Sequence, residues 1–121
     1  MRGDVTRRIV EYMNSESQKV FNKYHICVIR ECLTIEYQDR KNKGLIINSK
    51  SKKGKQEIYT RVSNIAKEAY KQNLDPEDIY LFKKCRLLEY EDRTGKCPWG
   101  YEIARKYLGY DKETGKELRG D

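Results

Sequence analysis

The sequence contains a single histidine, His25, and it lies in an apolar stretch. Hydrolases of the catalytic-triad type need a base that activates the nucleophile, and His25 is the one imidazole that could serve. Its apolar neighbours favour a structural role. A glycine-rich phosphate loop is also missing, because Gly44 and Gly54 are isolated glycines in turn-like segments. The sequence therefore predicts neither a triad hydrolase nor a cofactor-binding protein.

Cysteines are present, but their spacing does not match a zinc site. Four residues separate Cys27 from Cys32, and eleven separate Cys85 from Cys97, whereas zinc sites usually contain close Cys pairs. The N-terminus is charged and does not resemble a signal peptide, so we expect a cytoplasmic protein with free thiols and no bound metal. No apolar run approaches the roughly 18 residues of a membrane span, so a spanning helix is ruled out and we expect no membrane partner.

Apolar residues are few for a chain of this length. The hydrophobic and the charged residues each make up 37% of 121 residues, and ten tyrosines contribute to the hydrophobic share. A chain of this size forms one ordinary domain, and tyrosine rings can fill part of a thin core. We expect residues 1–121 to form a single compact domain, with residues 110–121 as a frayed tail or small hairpin.

The apolar pattern predicts an α+β fold that begins with helices. Asp4 is a suitable cap for a first helix, and segment 15–18 has the form of a capping box for a second. Alternating residues from Leu33 to Tyr37 then favour a half-buried strand. With segments 45–47 and 56–62 as further short strands, the sequence predicts a three-stranded antiparallel β-meander.

Helix signals return after the meander. Ser63 is a candidate cap for one helix, and Asp75 followed by Pro76 strongly predicts the start of another, which should end before Gly95. Pro98 is expected to open a last helix. The C-terminal part is therefore predicted to be a bundle of about three helices.

The net charge of +7 comes from one short segment. Residues 40–56 contain seven basic residues and no acidic one, and the rest of the chain holds 19 basic and 19 acidic residues. The seven are Arg40, Lys41, Lys43, Lys50, Lys52, Lys53 and Lys55. A local excess of this kind is typical of a site for a polyanion, although exposed turns also attract lysine. In a β-meander, the two turns would place these charges in two clusters about 20 Å apart.

The leading hypothesis is a small non-enzymatic protein that binds DNA or RNA. Its phosphate contacts would come from the seven basic residues, and Tyr59 and Arg61, on one face of the third predicted strand, would add stacking and charge. Because turn charges contribute little to stability, neutralising the seven should leave folding nearly intact.

Two alternatives remain open. The short, lysine- and tyrosine-rich composition is typical of small proteins from phages and mobile elements, many of which inhibit a host protein or nucleoprotein complex. A small metal-dependent nuclease is the third hypothesis, since Asp39, Arg40 and Lys41 have the local acid-x-Lys form that such enzymes use to hold Mg²⁺.

Overall fold

The protein is an all-helical bundle over the residues that the structure describes, 2–95 of the computed structural model. Its four helices are α1 (Arg2–Glu16), α2 (Lys23–Asn42), α3 (Lys52–Tyr70) and α4 (Pro76–Thr94). The expected last helix from Pro98 and the tail at 110–121 lie outside the described residues. Within residues 2–95 there is no strand, so the predicted α+β class with its β-meander is wrong.

The first predicted strand is the second half of α2. Ile35 and Tyr37 were expected to face the core with Leu33, but both are exposed. The buried positions of α2 instead follow helical spacings of three and four and continue beyond the short alternating window: Ile26, Val28, Ile29, Cys32 and Glu36. Alternation over five residues is too short to distinguish a strand from a helix when one of the buried helix positions is occupied by a glutamate.

The other two predicted strands are also wrong. Segment 45–47 belongs to the loop between α2 and α3, and segment 56–62 lies inside α3. In α3 the buried residues Ile58, Val62 and Ala66 recur every four positions, which is the spacing of one helix face. Ser63 therefore lies in mid-helix, where its hydroxyl donates to the carbonyl of Leu74.

The first two helices begin differently from the sequence prediction. Asp4 lies in the first turn of α1 and not before it. The predicted capping box at 15–18 is also wrong, because α2 begins at Lys23 with Asn22 as its N-cap. The Asn22 Oδ1 atom accepts from the His25 backbone N–H at 3.1 Å, and His25 Nδ1 accepts from the Asn22 N–H at 3.0 Å. His25 thus takes the place that glutamate or glutamine holds in the usual capping box.

The predicted start and end of α4 are confirmed. Asp75 is the N-cap, Pro76 is the first helical residue, and the helix ends at Thr94, followed by Gly95 as the C-cap with a φ of +70°. Proline suits the first turn because its missing N–H has no helical acceptor there, and glycine adopts a positive φ without steric cost.

Each helix contacts its neighbours along the chain, α1 also contacts α4, and α2 makes a smaller contact with α4. Two ion pairs show that α1 and α4 are antiparallel: Arg8 with Asp92, and Glu16 with Lys84. Lys19, between α1 and α2, pairs with Asp78 at the start of α4. The loops at 17–22 and 71–75 therefore lie together at one end of the bundle, and the loop at 43–51 lies at the other.

Candidate nucleic-acid interface

The basic segment is one continuous region at one end of the bundle. Residues 43–51 form a single loop, and the seven basic residues lie on this loop and on the adjoining turns of α2 and α3. The expectation of two clusters at opposite ends of a sheet is therefore wrong. We call the segment 40–55, which contains all seven, the basic loop region.

A glycine-dependent motif determines how the chain leaves α2. Gly44 has φ +66°, its N–H donates to the Lys41 carbonyl at 3.2 Å, and the Leu45 N–H donates to the Arg40 carbonyl at 3.0 Å. This pair of hydrogen bonds is a Schellman motif, in which glycine occupies the left-handed position. The first part of the basic loop region is therefore hydrogen-bonded to the helix that precedes it.

The other end of the loop is fastened to α3. Ser51 is the N-cap of α3, and its Oγ accepts from the Gly54 N–H at 2.9 Å and donates to the Asn48 carbonyl at 3.1 Å. A Cβ atom on Gly54 would lie 1.8 Å from the Asn48 carbonyl oxygen. Only glycine at this position allows the loop backbone to approach α3 so closely.

Two of the predicted site residues belong to an ionic network between α2 and α3. Glu36 is only 1% exposed. It accepts two hydrogen bonds from Arg40, at 3.0 and 3.2 Å, and a third from the Nε of Arg61, at 3.0 Å. A buried carboxylate needs such partners because its desolvation is costly. Arg40 and Arg61 are thus required by the fold, so the expectation that all seven charges can be neutralised without structural cost does not apply to Arg40.

The network continues through Asp39 to a third predicted site residue. Asp39 pairs with Arg61 and, at 3.2 Å, with Lys43. The hydrogen bonds from Lys43 and Arg61 hold the pKa of Asp39 below its ordinary value. The Asp39 carboxylate is therefore already occupied by two cations. The described residues also contain no group of three His, Cys, Asp or Glu side chains that could hold a metal ion, so the geometry adds no support to the nuclease hypothesis.

Tyr59 does not lie where the stacking hypothesis requires it. Its residue is 6% exposed, and its ring lies 6.4 Å from that of Tyr80, so it belongs to the core and not to an exposed platform. Tyr59 and Arg61 share no strand face, because both lie on α3. The expected stacking surface is therefore wrong in its geometry.

Five lysines of the basic loop region are exposed: Lys41, Lys43, Lys50, Lys52 and Lys53. Lys43 pairs with Asp39, Lys41 lies at the end of α2, and Lys52 and Lys53 lie in the first turn of α3. The first turn of α3 contains no acidic residue. The N-terminus of a helix carries a partial positive charge, so lysines there oppose helix stability by about 0.3–1 kcal/mol each. Helix stability therefore does not account for Lys52 and Lys53, and an anion bound beside them would interact with both the α3 dipole and the two side chains.

The structure adds a cation that sequence reasoning missed. Lys83, on α4, interacts electrostatically with Lys55 of the basic loop region and with Arg86. Burial, together with these two positive charges, lowers the pKa of Lys83 to about 8. No local pattern links residue 83 to residue 55, because only the packing of α3 against α4 brings them together.

Three of the four cysteines lie in the described residues, and two of these three are in the core. Cys32 and Cys85 are buried and Cys27 is exposed, and all three are free. Burial raises the pKa of Cys32 to about 11 and that of Cys85 to about 12, which suppresses the reactive thiolate. Cys97 lies outside the described residues.

No helix within residues 2–95 has the length and apolar character needed to cross a bilayer. No protein-family model, curated protein or solved structure shows significant similarity to the chain.

Proposed function

We propose that the protein binds nucleic acid by contacting phosphates with the basic loop region. The observation that carries this proposal is the collection of the chain's excess positive charge on one hydrogen-bonded loop and its two flanking helix ends. Glu36 and Asp39 of α2 pair with Arg40 and Lys43, whereas Lys41, Lys52 and Lys53 are exposed. The exposed lysines at 41, 52 and 53 supply the phosphate contacts.

Phosphate contacts position a protein without reading sequence. Lysine is a flexible point charge, and the basic loop region contains one arginine, which is held by Glu36. To form two hydrogen bonds with a guanine, Arg40 would have to leave the buried carboxylate of Glu36. We therefore expect binding with little sequence preference and with a strong dependence on salt.

Charge-removal variants test the proposal. In the test variant, Lys41, Lys52 and Lys53 are each changed to Gln, which leaves the Glu36 network intact. In the matched control, three exposed lysines at the opposite end of α2 and α3 are changed in the same way: Lys23, Lys67 and Lys71. Both variants lose three charges, so they differ only in which end of the bundle loses them.

Fluorescence anisotropy with labelled single- and double-stranded DNA and RNA, at several salt concentrations, gives the readout. We expect the test variant to bind at least tenfold more weakly and the log–log salt slope on duplex DNA to become shallower by about 3. The control variant should retain the wild-type slope apart from a small general effect of charge. Equal weakening by the two variants would show that net charge alone governs binding.

Negligible binding by the wild-type protein at low salt would overturn the proposal. The alternative of a protein-binding inhibitor or adaptor would then be tested by pull-down. A protein partner would remain bound stoichiometrically at moderate salt and in the presence of heparin, which would displace a nucleic-acid ligand.

A further inference from the structure

An isoleucine projects from the basic loop region into solvent. Ile46 is 99% exposed, although sequence reasoning placed it in a short buried strand. Its neighbour Ile47 is half-buried and packs against the core, and Leu45 is less exposed, at 43%. Of the large apolar side chains that the structure describes as exposed, Ile46 has the highest exposed fraction, and it lies among the lysines of the loop.

The position of Ile46 is held from both sides. Upstream, the hydrogen bonds of Gly44 and Leu45 connect the loop to α2. Downstream, the side-chain Oδ1 of Asn48 accepts from the Lys50 backbone N–H at 3.0 Å, and the Asn48 backbone carbonyl accepts from the Ser51 hydroxyl. Between these two anchors, the burial of Ile47 turns the adjacent side chain outward. Ile46 is therefore presented by a loop that is hydrogen-bonded at both ends, which reduces the conformational entropy that insertion into a partner would cost.

We propose that Ile46 inserts as an apolar wedge between adjacent base pairs of duplex DNA while the surrounding lysines hold the phosphates. This inference rests on the proposed function and extends it to a substrate class and to a deformation of that substrate. Proteins that kink DNA insert aliphatic side chains such as Leu, Ile or Met between base steps and hold the bent backbone with cations. The basic loop region combines both elements within one short segment.

The chemistry of the loop favours duplex DNA over two other anionic partners. Single-stranded nucleic acid is bound by aromatic side chains on which bases stack, and residues 43–51 contain no aromatic residue. A lipid surface is bound by a broad apolar face, commonly of an amphipathic helix, whereas this loop offers one fully exposed aliphatic side chain. A wedge requires only one such side chain, because a single base step accommodates it.

A short duplex with 2-aminopurine at a central TA step tests insertion, since this step unstacks readily and the fluorescence of the base rises when it does. We expect saturating wild-type protein to raise the fluorescence. The Ile46→Ala variant should bind the same duplex about fivefold more weakly and leave the fluorescence at its free-duplex value. The control is Val20→Ala, which removes an apolar side chain that is 84% exposed but lies at the opposite end of the bundle.

The outcomes separate this inference from the proposed function. If the wild type binds the duplex without raising the fluorescence, the wedge is overturned and phosphate binding stands. If the wild type does not bind at low salt, both are overturned. A rise that Ile46→Ala retains would also overturn the wedge. Ile46-dependent sedimentation with phosphatidylserine–phosphatidylcholine vesicles, without any change in the duplex, would overturn it in favour of a lipid partner.

Discussion

The guanidinium of Arg61 in α3 and the carboxylate of Glu36 in α2 form a buried ion pair, with Nε 3.0 Å from Oε2 and Glu36 only 1% exposed. Arg40 binds the same carboxylate from one turn further along α2. The pair links the two helices that support the basic loop region. The geometry of the candidate interface therefore depends on ionic contacts that are themselves not available to a ligand.

A double-mutant cycle measures this dependence. We expect Glu36→Ala to lower the free energy of unfolding by about 3 kcal/mol, because two cations lose their buried partner. Arg61→Ala should cost about 2 kcal/mol, since Arg40 still satisfies Glu36. The double variant should cost at least about 1 kcal/mol less than the sum of the two. Urea denaturation of the four proteins gives the values, and simple additivity would contradict the direct contact.

Two glycines of the loop should respond differently to alanine. At Gly54 the added Cβ would overlap the Asn48 carbonyl, so Gly54→Ala should cost about 2–4 kcal/mol and displace the loop from α3. At Gly44 the added Cβ meets open space and only the positive φ is unfavourable, so Gly44→Ala should cost about 1 kcal/mol. Thermal denaturation ranks the two. A smaller loss at Gly54 than at Gly44 would show that the loop does not approach α3 this closely.

Lys83 should make stability depend on pH on the alkaline side. Its pKa in the folded protein is about 8, against an ordinary value of 10.5, so the folded state opposes its protonation. The folded protein bears the full destabilising effect of charged Lys83 below about pH 8, and this effect disappears as the pH rises to about 10.5. Lys83→Met should therefore raise the free energy of unfolding at pH 7, by up to about 2 kcal/mol, and its advantage should shrink by pH 9.5.

Urea unfolding at the two pH values tests this expectation. Lys67→Met, which removes an exposed lysine from α3, controls for the loss of one positive charge. A gain from Lys83→Met that stays constant between pH 7 and 9.5 would contradict the altered proton affinity of Lys83.

Thiol reactivity should distinguish Cys27 from the two buried cysteines. We expect iodoacetamide to alkylate Cys27 at the rate of an exposed thiol in the native protein at pH 8. Cys32 and Cys85 should react at least about a hundredfold more slowly, because both access and thiolate formation are suppressed. Peptide mapping by mass spectrometry follows each site separately. Equal rates in the native protein and in urea would show that these cysteines are not in the core.

Local signals in the sequence were sufficient for some elements. The Asp75–Pro76 start and the Gly95 end of α4 act within a few residues, and the stripe of Ile9 and Met13 in α1 repeats at helical spacing without interruption. The basic segment was also visible, because it depends only on the order of charges. These features were predictable because neighbouring residues in the chain determine them.

Between residues 33 and 62 local signals gave the wrong secondary structure. Glu36 and Arg61 occupy buried or half-buried helix positions, where charged residues are ordinarily not found. The apolar stripe of each helix is therefore interrupted in the sequence, and the short alternation of residues 33–37 indicates a strand instead. The buried charges are stabilised only when α2 and α3 pack together, because Glu36 and Arg61 are 25 positions apart in the chain. That requirement is invisible to any local pattern.

The sequence by itself determined the charge of this protein, the presence of α1 and the bounds of α4, since composition, periodicity and, for α4, the caps are local. The tertiary structure decided which charges are available. Arg40 and Arg61 belong to an ionic network, and Tyr59 lies in the core. The charges expected in two clusters form one basic loop region, in which Ile46 is exposed. The physical reason is that burial and charge pairing depend on partners distant in the chain, which only the packed bundle brings together.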